Sequence, residues 1–392
     1  MEAFFRTHRY LVEHVSSPVK RELMKEIDWN RRLIGIKGSR GVGKTTFLLQ
    51  YAKEKFGTDR SCLYVNLNHL YFTTRTLCEF ADEFRSKGGR TLLLDQVFKY
   101  PEWSSELKYC HDYFPELQII FTGSSVMRLK EENPVLSGLA DSYNLRGFSF
   151  REYLNLMSGA GIPSFTLQQI LDDHEEIASD ICRTVKPLAY FKDYLHHGFY
   201  PFFLEKRNFS ENLIKTINMM MEVDILFLKQ IELTYLPKVR KLLYLLAVGA
   251  PAVPNVSQLS KEIQTSRATV VNYLKYLKDA RLINLLYASG EEFPKKPAKV
   301  YMHNTNLMYP MHPAGTDRQA ICETFFYNSL HKDNRLNKGE KNIHFLVNGK
   351  LPFRIEDGVS RRKVNPDYLY AVDGMECGRE NRIPLWLFGL LY

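Results

Sequence analysis

No stretch of the 392 residues is apolar for long enough to cross a bilayer. The longest apolar segment, 242–253, is interrupted by Gly249 and Pro251 and closed by Pro254, whereas a membrane helix needs about 20 apolar residues in a row. Residues 1–10 lack the apolar core of a secretory signal. A cytoplasmic protein without membrane contact is expected. Cysteine is scarce and scattered: Cys62, Cys78, Cys110, Cys182, Cys322 and Cys377 include no C-x-x-C pair, which argues against a disulfide framework and against a zinc site. The six are expected to be buried thiols. Low-complexity stretches and internal repeats are also missing, so disorder is not indicated. What the chain does have is core-forming material, 45% hydrophobic and 13% aromatic residues, over a length that suits two or three domains. Its net charge of +9 is a weak pointer to an anionic partner.

The strongest local signal lies at residues 32–50, Arg-Leu-Ile-Gly-Ile-Lys-Gly-Ser-Arg-Gly-Val-Gly-Lys-Thr-Thr-Phe-Leu-Leu-Gln. A short apolar strand, 33–36, runs into Gly38, whose spacing to Gly43, Lys44 and Thr45 fits G-x-x-x-x-G-K-[ST], and an amphipathic helix, 45–56, follows. Glycines let backbone N–H groups converge on phosphate oxygens without a Cβ in the way, and the helix aims its positive end at the same anion. The pattern predicts a P-loop for ATP with Mg²⁺. Gly38, Ser39, Arg40, Gly41, Val42, Gly43, Lys44, Thr45 and Thr46 are the expected nucleotide-binding set, with Lys44 on the β- and γ-phosphates and the Thr45 hydroxyl on the metal.

Around this loop the pattern predicts an α/β core. Residues 2–30 read as helical and polar, placed to cover the adenine side. A strand at 62–67 and a short helix at 77–84 precede Thr91-Leu-Leu-Leu-Asp95. That buried parallel strand delivers a carboxylate at its C-terminal end, where ligands sit in open α/β sheets. Asp95 is therefore the expected Walker B acid and second metal-holding residue. A further strand, 117–121, ends in Thr122-Gly123-Ser124-Ser125, which puts a hydroxyl, Ser124, near the γ-phosphate as a sensor; the same residue types equally favour a strand-ending turn. With a fifth strand at 142–145, the order of elements points to the additional-strand division of P-loop ATPases.

Residues 150–236 read as helical, opened by a capping box of Ser149 and Glu152. The Gly198 to Pro201 stretch reads as a turn, and Met219 to Met221 as core filler. From 237 to 302 the pattern is helix-turn-helix: a helix at 238–248, a second capped by Ser257, a third over 267–279 capped by Ser266, with Val270, Val271, Leu274 and Leu277 on one face. Strands at 282–287 and 299–302 enclose a Pro- and Lys-rich tip, 293–297, and complete a winged helix. Against double-stranded DNA, Arg267, Thr269, Asn272 and Tyr273 would face the major groove, and Lys275, Lys278, Lys295 and Lys296 the phosphates. A protein-contact module, through a partner or self-association, fits the moderate charge as well.

Residues 38–46, 92–103 with Lys99-Tyr100-Pro101-Glu102-Trp103, 121–125 and 148–153 carry a resemblance. The chain resembles the prokaryotic predicted AAA-superfamily ATPases, and the likeness continues through 191–201, 299–308 and 384–392. It implies an ATPase core at 1–148, a helical lid at 149–236, a winged helix-turn-helix at 237–302 and a nuclease-like C-terminal domain at 303–392. It also implies a water-polarising Glu after the Walker B acid, where this chain has Gln96. An amide can orient water but has no basicity, so tight ATP binding with slow hydrolysis is expected. Catalysis would then fall to Lys44, Asp95, Gln96 and Ser124, with nucleotide state controlling the later domains. A DNA-binding regulator or a protein-interaction adaptor is the alternative. Relatives often carry an arginine near Gly138-Leu139. Arg128, Arg146 and Arg151 are candidates for that finger, although solvent-facing positions suit them better. In the C-terminal domain Glu323, with Asp367 or Asp373, matches nuclease-like acids, yet no lysine follows Asp373, so a scaffold without cleavage activity is expected. The closing residues 384–392 read as a buried strand or an interface.

Overall fold

Five apolar segments form one parallel sheet in the computed structural model, which describes every residue except 17, 128–132, 206–207, 228, 313–314 and 359–364. They are β1 (Leu33–Gly38), β2 (Cys62–Asn66), β3 (Thr91–Asp95), β4 (Gln118–Ser124) and β5 (Asp141–Asn144), in the order β2-β3-β4-β1-β5. All four pairings are parallel. The additional strand, β4, lies between the P-loop strand β1 and the acidic strand β3. Leu92, Leu93 and Leu94 of β3 and Ile34 and Ile36 of β1 are fully buried, as strands covered on both faces require. The register sets Gly38 opposite Ser124 and Asn66 opposite Asp95, so the functional residues gather along the C-terminal edge. The P-loop helix runs Lys44–Lys55, one residue ahead of its expected span. The first 30 residues are helical over Glu2–His14 and a single turn, Leu23–Glu26. Trp29 then stacks on Tyr51 of the P-loop helix at 3.9 Å. These elements make up one compact unit, Met1–Arg146; Gly147–Tyr392 is a second.

The second unit opens with helix Phe150–Ser158, whose capping box of Ser149 and Glu152 is present as predicted. Helices Leu167–Thr184, Pro187–Asp193 and Phe209–Met219 follow, with a π-helical turn at Tyr194–Gly198 leading into a bend at residues 199–200, within the turn expected from Gly198 to Pro201. Met220 and Met221 fill core, but Met219 is exposed. Three helices, Leu236–Gly249, Val256–Glu262 and Arg267–Asp279, lead into an antiparallel hairpin of β6 (Ile283–Leu286) and β7 (Lys299–Met302). Two details differ from expectation. Asn255, not Ser257, caps the middle helix by accepting the Gln258 amide at 3.1 Å; its carboxamide oxygen sits at the cap position, while Ser257 lies inside the first turn. On the third helix Tyr273 is buried and Val271 only half-buried, so Tyr273 belongs to the core and cannot face a groove.

The last part pairs β8 (Leu336–Lys338), β9 (Phe345–Val347), β10 (Leu351–Glu356), β11 (Leu369–Val372) and β12 (Arg382–Pro384) in the order β12-β11-β10-β9-β8. The β8 to β10 pairings are antiparallel and the β10 to β12 pairings parallel, and helix Arg318–Leu330 is buried along most of its length. Of the expected closing segment, residues Leu385–Leu390 form a buried 3-10 turn rather than a buried strand. Gly389 allows this, because a Cβ there would come within 2.5 Å of the Phe150 Cβ. Only Cys62, Cys110 and Cys322 are buried; Cys78 and Cys182 are half-buried and Cys377 is exposed in the loop after β11. No helix among the described residues is long and apolar enough to cross a membrane.

Candidate nucleotide-binding site

The loop between β1 and its helix has the backbone that phosphate cradles need. Gly41 and Gly43 adopt φ of 79° and 91°, in the left-handed region that a Cβ disfavours. Gly38 is required for a different reason: a Cβ there would stand 2.4 Å from the Leu145 carbonyl oxygen. The Phe47 amide is taken by the Gly43 carbonyl at 2.9 Å, whereas the amides of Gly41, Gly43, Thr45 and Thr46 have no backbone acceptor among the described residues. A helix start leaves such donors for an anion. Val42 is fully buried beneath the loop, and Ser39 is buried too. Arg40 lies over the Phe98 ring at 5.9 Å. Lys44 Nζ donates to the Gly38 and Ser39 carbonyls, both at 2.8 Å, which keeps its charge within the cradle.

Opposite this cationic end lies a buried carboxylate held by hydroxyls. Asp95 is 1% exposed. Its Oδ2 accepts from Thr45 Oγ1 at 2.7 Å and from the Tyr64 hydroxyl at 2.8 Å, and its Oδ1 accepts from Thr122 Oγ1. Thr122 Oγ1 in turn accepts the Gln96 backbone N–H at 3.0 Å. Burial, and secondly the Asp95 charge, push the Tyr64 hydroxyl far above its ordinary value, so it stays a donor. Gln96 has φ 58° and ψ 45°, an uncommon backbone for a residue with a side chain, and it turns the chain out of β3 directly beside the acid. Thr45 and Asp95 offer hard oxygens in mutual contact, which suits Mg²⁺, an ion that takes one or two carboxylates and fills its shell with water and phosphate.

The structure thus brings Gly38 to Thr46, Asp95 and Gln96 together. Ser124 ends β4 beside Gly38, and its Oγ accepts the Val126 amide at 3.4 Å, the turn use; from β4 it is the Thr122 hydroxyl that bonds Asp95. Arg151 is not solvent-facing: it is buried in the second unit, donating to the Tyr392 and Ile162 carbonyls. Arg128 lies outside the described residues. Glu323 and Asp373 do not assemble an acidic site. Glu323 bonds Lys299 Nζ and the Tyr301 hydroxyl, both at 2.9 Å, with His344 Nε2 at 3.7 Å. Asp373 bonds Arg318 at 2.6 Å, and Asp367 is exposed. A lysine does reach Glu323, from β7 rather than from the segment after Asp373. Sequence reasoning missed that contact and the Tyr64 contact, since each depends on which strands are neighbours.

An AAA-domain profile matches residues 30–154, and a domain of unknown function, DUF8612, matches residues 188–318. The uncharacterised protein MJ1637 of Methanocaldococcus jannaschii is 27% identical over 288 residues, covering 69% of this chain. MJ1544 of the same organism is 23% identical over 267 residues, covering 64%. The chain spans only 60% and 55% of the lengths of these two relatives. Among solved structures, a single-residue variant of RuvB from Thermotoga maritima aligns with 73% of this chain and 89% of its own at 12% identity and a TM-score of 0.28. AMPPCP-bound DnaA from Aquifex aeolicus aligns with 70% of this chain and 86% of its own at 16% identity and a TM-score of 0.26. These low overlaps leave the domain match, the P-loop and the sheet order as the grounds for assignment. On those grounds residues 30–154 form an AAA-type domain with the loop and parallel sheet of a P-loop ATPase.

Proposed function

We propose that this chain binds ATP with Mg²⁺ in the loop 38–46 and hydrolyses it slowly, so that it works as a switch whose nucleotide state controls the modules after residue 146. The observation that carries the reading is the pairing of an amide-lined loop with a buried, hydroxyl-held Asp95. On binding, the loop amides and Lys44 take phosphate oxygens, and Lys44 gives up the Gly38 and Ser39 carbonyls to do so. Thr45 and Asp95 would hold the metal, whose charge neutralises the phosphates. Gln96 supplies an amide where a base is needed: it aligns water but accepts no proton, as the glutamine of Ras-type GTPases does. Single-turnover hydrolysis separates the cases. Binding without turnover, restored by Gln96→Glu and abolished by Lys44→Ala, supports the switch; fast Mg²⁺-dependent turnover of the unmodified chain rejects it.

For the three helices and hairpin at 236–302 we propose a winged helix directed at double-stranded DNA. Lys275 sits over the Phe293 ring at 4.4 Å, tying the hairpin tip with exposed Lys295 and Lys296 to the helix that exposes Arg267 and Asn272. Duplex binding that weakens with salt and with Lys295→Glu plus Lys296→Glu supports this; binding of a protein partner instead makes the module an adaptor. The charge-compensated Glu323 and Asp373 fit a C-terminal domain that cuts no nucleic acid. Plasmid nicking lost in Glu323→Ala would show otherwise.

A further inference from the structure

A phosphate loop works only if its amides all face one point, and a left-handed Gly43 has no Cβ to hold the peptide plane before it; the plane after it is fixed by the Phe47 N–H on the Gly43 carbonyl. One side chain outside the loop restrains the plane before Gly43. Arg21 comes from the segment between helices Glu2–His14 and Leu23–Glu26, and it is 7% exposed. Its Nη1 donates to the Val42 carbonyl at 3.1 Å and its Nη2 to the Arg146 carbonyl at 2.6 Å. The guanidinium therefore bridges the middle of the loop and the residues just past β5. The Val42–Gly43 peptide is trans, and in a planar trans peptide the C=O and N–H point in opposite directions. Turning the Val42 oxygen onto Arg21 turns the Gly43 N–H away from it, and among the described residues no backbone group accepts that N–H.

We propose that Arg21 is a positioning residue for the bound nucleotide: it locks the Val42–Gly43 peptide so that the Gly43 N–H faces a phosphate oxygen. The inference rests on the P-loop reading above. The chemistry calls for arginine, because a planar fork holds two carbonyls in fixed directions, whereas the ammonium of lysine is a rotating point charge. No carboxylate is involved in these two contacts, so the part Arg21 plays in them is geometric rather than charge-balancing.

Equilibrium binding of ATP and of ADP to the full chain tests this, with Arg21→Ala, Arg21→Lys and Lys44→Ala compared. Arg21→Ala should weaken both nucleotides by about tenfold, the value of one well-aimed hydrogen bond to a charged group. Both should fall together, since both carry the phosphates that the loop amides cradle. Millimolar methylguanidinium should restore much of that loss, and the single-turnover rate of bound ATP should stay unchanged, so that affinity moves and chemistry does not. Wild-type affinity in a folded Arg21→Ala protein overturns the proposal, as does weak binding that methylguanidinium leaves untouched. If Arg21→Ala does not fold, Arg21→Lys decides: reduced affinity supports positioning, and wild-type affinity with a lower melting temperature makes Arg21 a brace only. Lys44→Ala tests the underlying reading separately. If it binds ATP normally, the P-loop assignment fails whatever Arg21 does.

Discussion

Asp95 and Glu323 are both buried acids, 1% and 3% exposed, yet their surroundings are opposite. Asp95 in the first unit is held by three neutral hydroxyls, from Thr45, Tyr64 and Thr122. Glu323 in the second unit is held by an ammonium, Lys299, with the His344 ring and the Tyr301 hydroxyl beside it. Hydroxyls bond a carboxylate without bringing a positive charge to it, so the three groups on Asp95 leave a counter-charge to come from a bound cation. The charge on Glu323 is already answered from within the fold. Burial alone would raise the Glu323 carboxyl, but His344 and Lys299 hold it below the ordinary value. A buried acid thus reads as a site or as a strut according to the charge of its partners, not its depth.

The largest separation between the two should appear in nucleotide binding. Asp95→Asn keeps shape and hydrogen-bonding capacity but removes the charge, and it should abolish the Mg²⁺-dependent gain in ATP affinity, a loss of roughly 100-fold. Glu323→Gln should leave that gain intact. Titrating ATP with and without Mg²⁺ on both variants checks this, and equal losses would collapse the distinction.

Stability should show the reverse. Glu323→Gln strands Lys299 against a neutral amide, and half-broken ion pairs in protein interiors are costly. Because Lys299 remains 27% exposed, a cost of about 2 kcal/mol is expected, below the roughly 3–5 kcal/mol for breaking a fully buried pair. Denaturant unfolding measures it, and no change would mean that Glu323 is not a strut.

Acid should act on the second unit in two stages. Burial holds His344 below its ordinary 6.5, so below that pH the unfolded chain takes a proton that the folded chain refuses, and stability falls. Glu323 is depressed, so its contribution is full above the ordinary 4.5 and is lost as pH falls through its lower folded value. Unfolding free energy measured from pH 7 to 3 should decline below 6.5 and again below 4.5. Glu323→Gln should remove the second decline. A profile that stays flat between pH 6.5 and 4.5 would contradict the His344 assignment, and one with no further fall between 4.5 and 3 the Glu323 assignment.

Much of the first unit was legible in the sequence because its signals are local. The loop occupies nine consecutive residues, and the acid ends its own apolar strand. What was not legible depends on strand neighbours. Tyr64 meets Asp95 across 31 positions, Thr122 across 27, and Lys299 meets Glu323 across 24. No spacing rule links such pairs until the sheet order is known. Helix details failed for another reason: Asn255 and Ser257 are both good caps, and Val271 and Tyr273 both border the apolar stripe, so packing rather than pattern chose between them.

Tyr64 gives the smallest and most informative test of the comparison. Its hydroxyl shares Oδ2 of Asp95 with Thr45, yet it belongs to β2, the strand farthest from the loop's own strand among the paired elements before β5. If the hydroxyls only hold the carboxylate while leaving its charge intact, removing one should cost stability and little else. Tyr64→Phe is then expected to lower nucleotide-free stability by about 1 kcal/mol, the net worth of a typical hydrogen bond. Mg²⁺-dependent ATP affinity should stay within about threefold of the unmodified chain, since that bond aims the acid without carrying its charge. Thermal unfolding without nucleotide and ATP titration with Mg²⁺ give the two numbers. A loss of affinity approaching that of Asp95→Asn would mean that Oδ2 must be aimed as well as charged, and the site would then extend across the sheet to β2.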